Sequence, residues 1–178
     1  MKPPETYAEW SAAFATLETD DFSDGEVLPA LEAGQISWCS GVAERFTLGF
    51  AAVFNARLKR ANVALQRDLD IARGAEIGVA NAMLGARRRL QPLTRLAALS
   101  ALPENVRKHF RSELQTFVNR AQSSLEDSAI AADRTGRLRS IFRHNPLSPF
   151  ASPPLLAAAP AAESASPPAL TGRRVILK

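Results

Sequence analysis

Arg87, Arg88 and Arg89 form the densest group of chemically capable side chains in this sequence. Arg95, Arg107, Lys108 and Arg111 follow soon after. Guanidinium groups grip phosphates and carboxylates through paired N–H bonds, so such a cluster is first of all an anion site. Neighbouring helical residues point about 100° apart, so three in a row fan around most of a turn and cannot all be buried. If the chain folds back at Leu102-Pro103, the seven cations converge on one end of a helical bundle. That end is then an anion or nucleic-acid patch. Composition argues against nucleic acid: no aromatic residues interleave with the cations, and no helix-turn-helix or RNA-binding signature is present.

The second group is the terminal peptide Thr171–Lys178, in which Arg173 and Arg174 precede Val175, Ile176 and Leu177. An apolar, β-prone run at the end of a flexible tether suits addition to the edge of a partner's sheet, with the two arginines finding acids. The third is an aromatic stripe near the N-terminus. Tyr7, Trp10, Phe14 and Leu17 step by three, four and three, and must dock on the chain's own body or on a partner.

Groups that catalyse reactions are sparse. Cys39 is the single cysteine and His109 and His144 are the two histidines, so no Cys–His metal spacing exists. No GxSxG, HExxH, Walker A or GxGxxG motif occurs. Asp68 and Asp70 lie two apart, as Glu126 and Asp127 lie one apart, and neither spacing puts two carboxylates on one helical face. His109 stands among Arg107, Lys108 and Arg111 and reads as a solvated helix residue. Cys39 beside Trp38 reads as a small buried apolar residue. The expectation is a protein without catalytic, metal or cofactor residues, and not an enzyme.

Charge divides the chain. Residues 1–33 hold eight acids and one lysine, whereas residues 74–112 hold seven bases and two acids. The whole chain has a net charge of +4. An acidic head facing a basic middle is the economical reading of the high pI. Eighteen arginines against four lysines, with abundant alanine, point to a GC-rich bacterial genome. The N-terminus lacks an apolar signal core and no window suits a membrane span, so the expected compartment is the cytoplasm, with signal-less export as the alternative.

The elements that must position these groups are helices. Phe46, Phe50, Phe54, Leu58, Ala61, Leu65, Leu69 and Ala72 recur at steps of three and four, one face of a helix over Val42–Arg73. At 1.5 Å per residue this spine is roughly 45 Å long. Its Arg45, Arg57, Lys59, Arg60, Arg67 and Asp68 read as the solvated side. Ser37 or Ser40 is its expected cap. Arg73-Gly74 ends it, and a hairpin there is favoured over one kinked rod of roughly 90 Å. The next helix covers Ala75–Leu102, with Ile77, Ala80 and Leu84 on its stripe, Gly78 and Gly85 allowing close approach, and a kink or break at Pro92. Pro103–Arg134 forms the third, with Val106, Phe110, Leu114, Phe117, Ala121, Leu125 and Ala129 inward. Arg137–His144 adds one or two amphipathic turns.

Before the spine, Thr6 with Glu9 and Ser23 with Glu26 have capping-box spacing, and Phe22 with Val27 has that of a hydrophobic staple. Pro29 predicts a short or irregular second helix ending at Gly34. The expected fold is all-α, an elongated antiparallel bundle of about three long helices and two short N-terminal ones. Its divisions are an acidic segment 1–36, a bundle 37–145, a disordered Pro/Ala/Ser linker 146–170 and the terminal peptide 171–178. The function that follows is a non-enzymatic helical adaptor or structural subunit of a bacterial assembly. Its partner is another protein or a second copy, met through helix faces and the tethered peptide. Nucleic-acid binding through Arg87–Arg89 is the alternative, and an amphipathic coat making peripheral contact with a membrane or a hydrophobic granule is the third.

Overall fold

Thr6 and Glu9 start the chain's first helix as their spacing requires. The Thr6 hydroxyl accepts the Glu9 amide at 3.3 Å, and the Glu9 carboxylate accepts the amides of Thr6 and Glu5 at 3.0 and 2.8 Å. Those two amides hold the Glu9 carboxyl below its ordinary pKa. The structure is a computed structural model that describes residues 1–20, 22–36, 41–133, 136–144 and 146–147. Its elements are α1 (Tyr7–Thr19), α2 (Asp24–Ala33), α3 (Val42–Ala72), α4 (Glu76–Ala97), α5 (Glu104–Ala132) and α6 (Arg137–His144). Trp38, Cys39 and both serines offered as caps for the spine lie outside the described residues, as does everything after Leu147. The N-cap of α3 is Gly41, at φ 87°.

The spine turns back at Gly74. Arg73 and Gly74 both take left-handed backbone, φ 45° and 74°, and α4 returns antiparallel along α3. A second turn, Ala98–Pro103, brings α5 back over both. Three layers result: α1 and α2 lie on α3 and α4, the α3–α4 hairpin is the middle, and α5 with α6 lies beneath. The hairpin is close at its turn because of Gly78, where a Cβ would stand 2.7 Å from the Ala72 Cα; one on Gly85 would meet only the side-chain ends of Arg89 and Asp68, at 3.1 and 3.2 Å.

Aromatic residues join the layers. Phe46 meets Trp10 edge-on with centroids 5.0 Å apart, and Phe14 meets Phe46 at 5.3 Å. Phe110 of α5 meets Phe50 and Phe54 at 4.8 and 4.7 Å. Each buried ring or aliphatic side chain of this kind contributes about 1.5–3 kcal/mol. Trp10 and Leu17 are wholly buried and Phe14 nearly so. The N-terminal stripe therefore docks within the chain, and its Trp10, Phe14 and Leu17 present nothing to a partner. Gly34 is needed there for space rather than conformation. Its φ is an ordinary −70°, but a Cβ would meet the Trp10 ring at 2.6 Å.

Several expectations are corrected. Phe22 is fully exposed, so no staple forms. The Ser23 hydroxyl donates to the Asp20 carbonyl instead of capping α2. α4 runs through Pro92 without a break, ending at Ala97 rather than Leu102, whereas α2 is the short helix expected, ten residues with Pro29 inside and Gly34 as its C-cap. Packing of α4 on both α3 and α5 outweighs the one backbone hydrogen bond that Pro92 removes. Leu99 and Leu102 stay buried in the turn that follows. In α4 the buried line is Val79, Met83, Ala86, Leu90 and Leu93, whereas Ile77 and Leu84 face out.

Arg57 is the clearest departure from the solvated side assigned to α3. It is buried. Its Nε donates to the Leu17 carbonyl at 2.8 Å, its Nη2 donates to the Asp20 carbonyl at 3.2 Å, and the same Nη2 lies 2.5 Å from Asp24 Oδ1. Arg60 donates to the carbonyls of Glu18 and Leu17. α1 has no basic residue in its own last turn. The negative end of its dipole is met by these two α3 cations instead.

Candidate functional site

The seven cations of the expected patch do not converge on one end. Arg87–Arg89 lie midway along α4. Arg87 Nη2 donates to the Pro146 carbonyl at 3.4 Å, and Arg89 Nη1 meets Asp68 at 2.8 Å across the hairpin. Arg95, two helical turns further along, binds Glu32 of α2 through Nε and Nη2 at 2.6 and 2.8 Å. Those two bonds hold the Glu32 carboxyl below its ordinary pKa and raise that of Arg95. Arg107 pairs with Glu104 at 2.6 Å beside the α4–α5 turn. Arg88, Lys108 and Arg111 have neither a hydrogen bond nor an ion pair among the described residues. The convergence fails because α4 turns its arginines to different neighbours, Arg87 to Pro146 after α6, Arg89 to α3 and Arg95 to α2.

Two of these arginines join a different group. Arg88 and Arg89 line a groove between α3 and α4 with Arg57, Lys59, Arg60 and Arg67 of the spine. Its volume is about 500 Å³. A second hollow of about 650 Å³ shares Arg88 and Arg89 and continues to the hairpin turn past Ile71, Ile77, Gly78, Asn81 and Leu84. Together they are the part of the α3–α4 face that α1 and α2 leave bare. Six cations line the two hollows against two carboxylates, Asp24 and Asp68, and both carboxylates are already paired with arginine. Arg67 is 66% exposed and, among the described residues, reaches only its neighbour Asp68, at 3.4 Å. Four large aliphatic side chains stand out of this face: Val63, Ile71, Ile77 and Leu84, 59, 70, 78 and 48% exposed. Bare aliphatics gathered beside cations on one face are unlike the scattered apolar residues of an ordinary surface.

Sequence reasoning missed this face, although a signal was present. In α4 the positions 77, 81, 84 and 88 form a second helical line beside the buried one, holding Ile, Asn, Leu and Arg. In α3 the line 60, 64, 67 and 71 does the same with Arg, Ala, Arg and Ile. The terminal peptide Arg173–Leu177 lies outside the described residues.

Groups suited to catalysis stay apart. His109 is exposed on α5, 3.4 Å from Glu113 on the next turn. The Nδ1 of His144 lies 2.8 Å from the Ser140 carbonyl. Asp68 is half-buried between two arginines while Asp70 is exposed. Among the described residues no three His, Cys, Asp or Glu side chains gather as a metal site, and no helix is long and apolar enough to cross a membrane. No protein-family model matches the chain, and comparison with curated proteins and with solved structures returns no match.

Proposed function

We propose that this chain is a non-enzymatic helical adaptor or structural subunit that recruits another protein to the bare part of its α3–α4 face. The observation that carries this reading is the set Val63, Ile71, Ile77 and Leu84. All four are exposed on two helices that pack along one another, with Gly78 close against Ala72 beside the turn. A rigid apolar surface with a charged rim is how helical bundles present a partner site, since little ordering entropy is lost on binding. The tail supplies a second contact in this reading. Leu147 is anchored by its amide to Gln122 Oε1 at 2.8 Å. The Pro/Ala-rich segment that follows would hold Arg173–Leu177 at raised effective concentration near the first contact.

The test is quantitative affinity purification from the native host with three full-length chains: wild type, Ile71→Asp with Ile77→Asp, and Ile176→Asp. The expected outcome is a discrete co-purifying protein that the double substitution loses and the tail substitution reduces. Equal recovery with all three chains would sink both contacts. A nuclease-sensitive load lost with Arg87–Arg89 would favour the nucleic-acid reading instead.

A further inference from the structure

We infer that the bare part of the α3–α4 face takes a short, acidic amphipathic helix of a partner protein, seated in line with α1 and completing the outer layer. This rests on the adaptor reading and specifies the partner's chemistry. The length follows from the shelf itself. From Arg60, where α1 stops, to Ile71 at the end of α3 is eleven residues, roughly 17 Å or three helical turns. The apolar requirement comes from Val63 and Ile71 on one wall and Ile77 and Leu84 on the other. A helix with apolar residues at i, i+3, i+4 and i+7 spans both walls.

The sign of the charge follows from what the lining cations already hold. Arg57 and Arg60 are engaged by α1, and Arg89 by Asp68. Arg88 is exposed and unpaired among the described residues, Arg67 is held only by its neighbour, and Lys59 is exposed. Three cations on an apolar shelf select carboxylates. On the adjoining stretch of α3 the same kind of cation already holds the negative end of a helix: Arg57 and Arg60 take the carbonyl end of α1.

Other occupants fit less well. A second copy placing the same face here would set arginine against arginine. The chain's terminal peptide brings Arg173, Arg174 and Lys178, again of like sign. An anionic lipid surface matches the charge. However, α1 and α2 rise beside the shelf and carry exposed Glu9, Glu18 and Glu26, which oppose the approach of an anionic bilayer.

The experiment pans a displayed library of random peptides about fourteen residues long on the full-length chain. Enriched peptides are then titrated by fluorescence anisotropy against wild type, Arg88→Glu and Ile77→Asp. Both positions are exposed, and unchanged thermal midpoints confirm that the variants fold. The expected result is enrichment of sequences with helically spaced apolar residues and two or more acids. Their affinity falls about tenfold or more in each variant, and partial recovery follows when a peptide acid is changed to lysine against Arg88→Glu. No enrichment, enrichment of neutral or basic sequences, or affinities indifferent to both substitutions would overturn the proposal. So would binding to vesicles of phosphatidylglycerol and phosphatidylcholine that the same substitutions abolish while no peptide is enriched. If the proposal fails while Ile71→Asp with Ile77→Asp still removes a partner in the purification, the adaptor reading stands and only the chemistry of its partner changes.

Discussion

Arg57 shows what a single side chain does in this molecule and why its sequence position hides it. It is buried at 5% exposure, yet three of its contacts are to α1 and the residues just after it, about forty positions earlier in the chain. Periodicity reports only on neighbours within a helix, so a cation off the apolar stripe of α3 reads as solvated. What decides its fate is the unsatisfied carbonyl end of another helix. Arg57→Leu removes those bonds, leaves the Asp20 carbonyl and Asp24 without their cation, and leaves the Leu17 carbonyl to Arg60 alone. We expect a loss of about 2–4 kcal/mol in urea denaturation, below the full range for a deeply buried pair because Asp24 is partly exposed. Arg57→Lys should recover only part of it, since one ammonium cannot span Leu17, Asp20 and Asp24 together. A change under about 0.5 kcal/mol for Arg57→Leu would show that α1 is held by Trp10, Phe14 and Leu17 alone.

Whole helices were legible where apolar spacing was regular and illegible where two apolar lines compete. The α3 stripe from Phe46 to Ala72 and the α5 stripe from Phe110 to Ala129 match the buried residues closely. In α4 the chain offers Ile77 and Leu84 on one line and Val79, Met83, Ala86 and Leu90 on the next. Only the placement of α3 and α5 decides which is inside. Gly74 was legible as a turn because glycine tolerates left-handed backbone, whereas the uninterrupted passage through Pro92 depends on tertiary packing. The tie between α2 and α4 is likewise non-local, and it makes a prediction about pH. Arg95 holds the Glu32 carboxyl below its ordinary value of 4.5. The stability this pair adds is therefore present above that value and lost as pH falls through the lower folded value. Both side chains are more than a third exposed, so the gain is screened to about 0.5–1 kcal/mol. Glu32→Gln should cost that much at pH 7 and progressively less as pH falls below 4.5. The measurement is the denaturant midpoint of both chains across that range. A deficit that persists unchanged at low pH would assign the effect to packing rather than charge.

At the scale of the molecule, charge is spent largely inside the fold. The acidic head meets the basic middle through Glu32 with Arg95, and meets α3 through Asp24 with Arg57. Arg89 and Arg107 are held by Asp68 and Glu104. A pI near 9.8 therefore overstates the cationic surface available to a polyanion. The arrangement predicts a number. Each phosphate neutralised on duplex DNA contributes about 0.9 to the slope of log binding constant against log salt. If Arg87, Arg88 and Arg89 formed one phosphate-binding edge, replacing all three with alanine would flatten that slope by about 2.7. In the structure Arg87 reaches Pro146, Arg89 reaches Asp68 and only Arg88 is unengaged among the described residues. The triple substitution should then flatten the slope by about 1 or less. Anisotropy of a labelled duplex titrated with both full-length chains over a range of salt separates the two values. Any contribution from Arg173, Arg174 and Lys178 cancels in the difference, because both chains contain them. A change near the larger value would mean that Arg87 and Arg89 leave their partners for phosphate, and that the Arg89–Asp68 pair joining α4 to α3 is exchangeable rather than fixed.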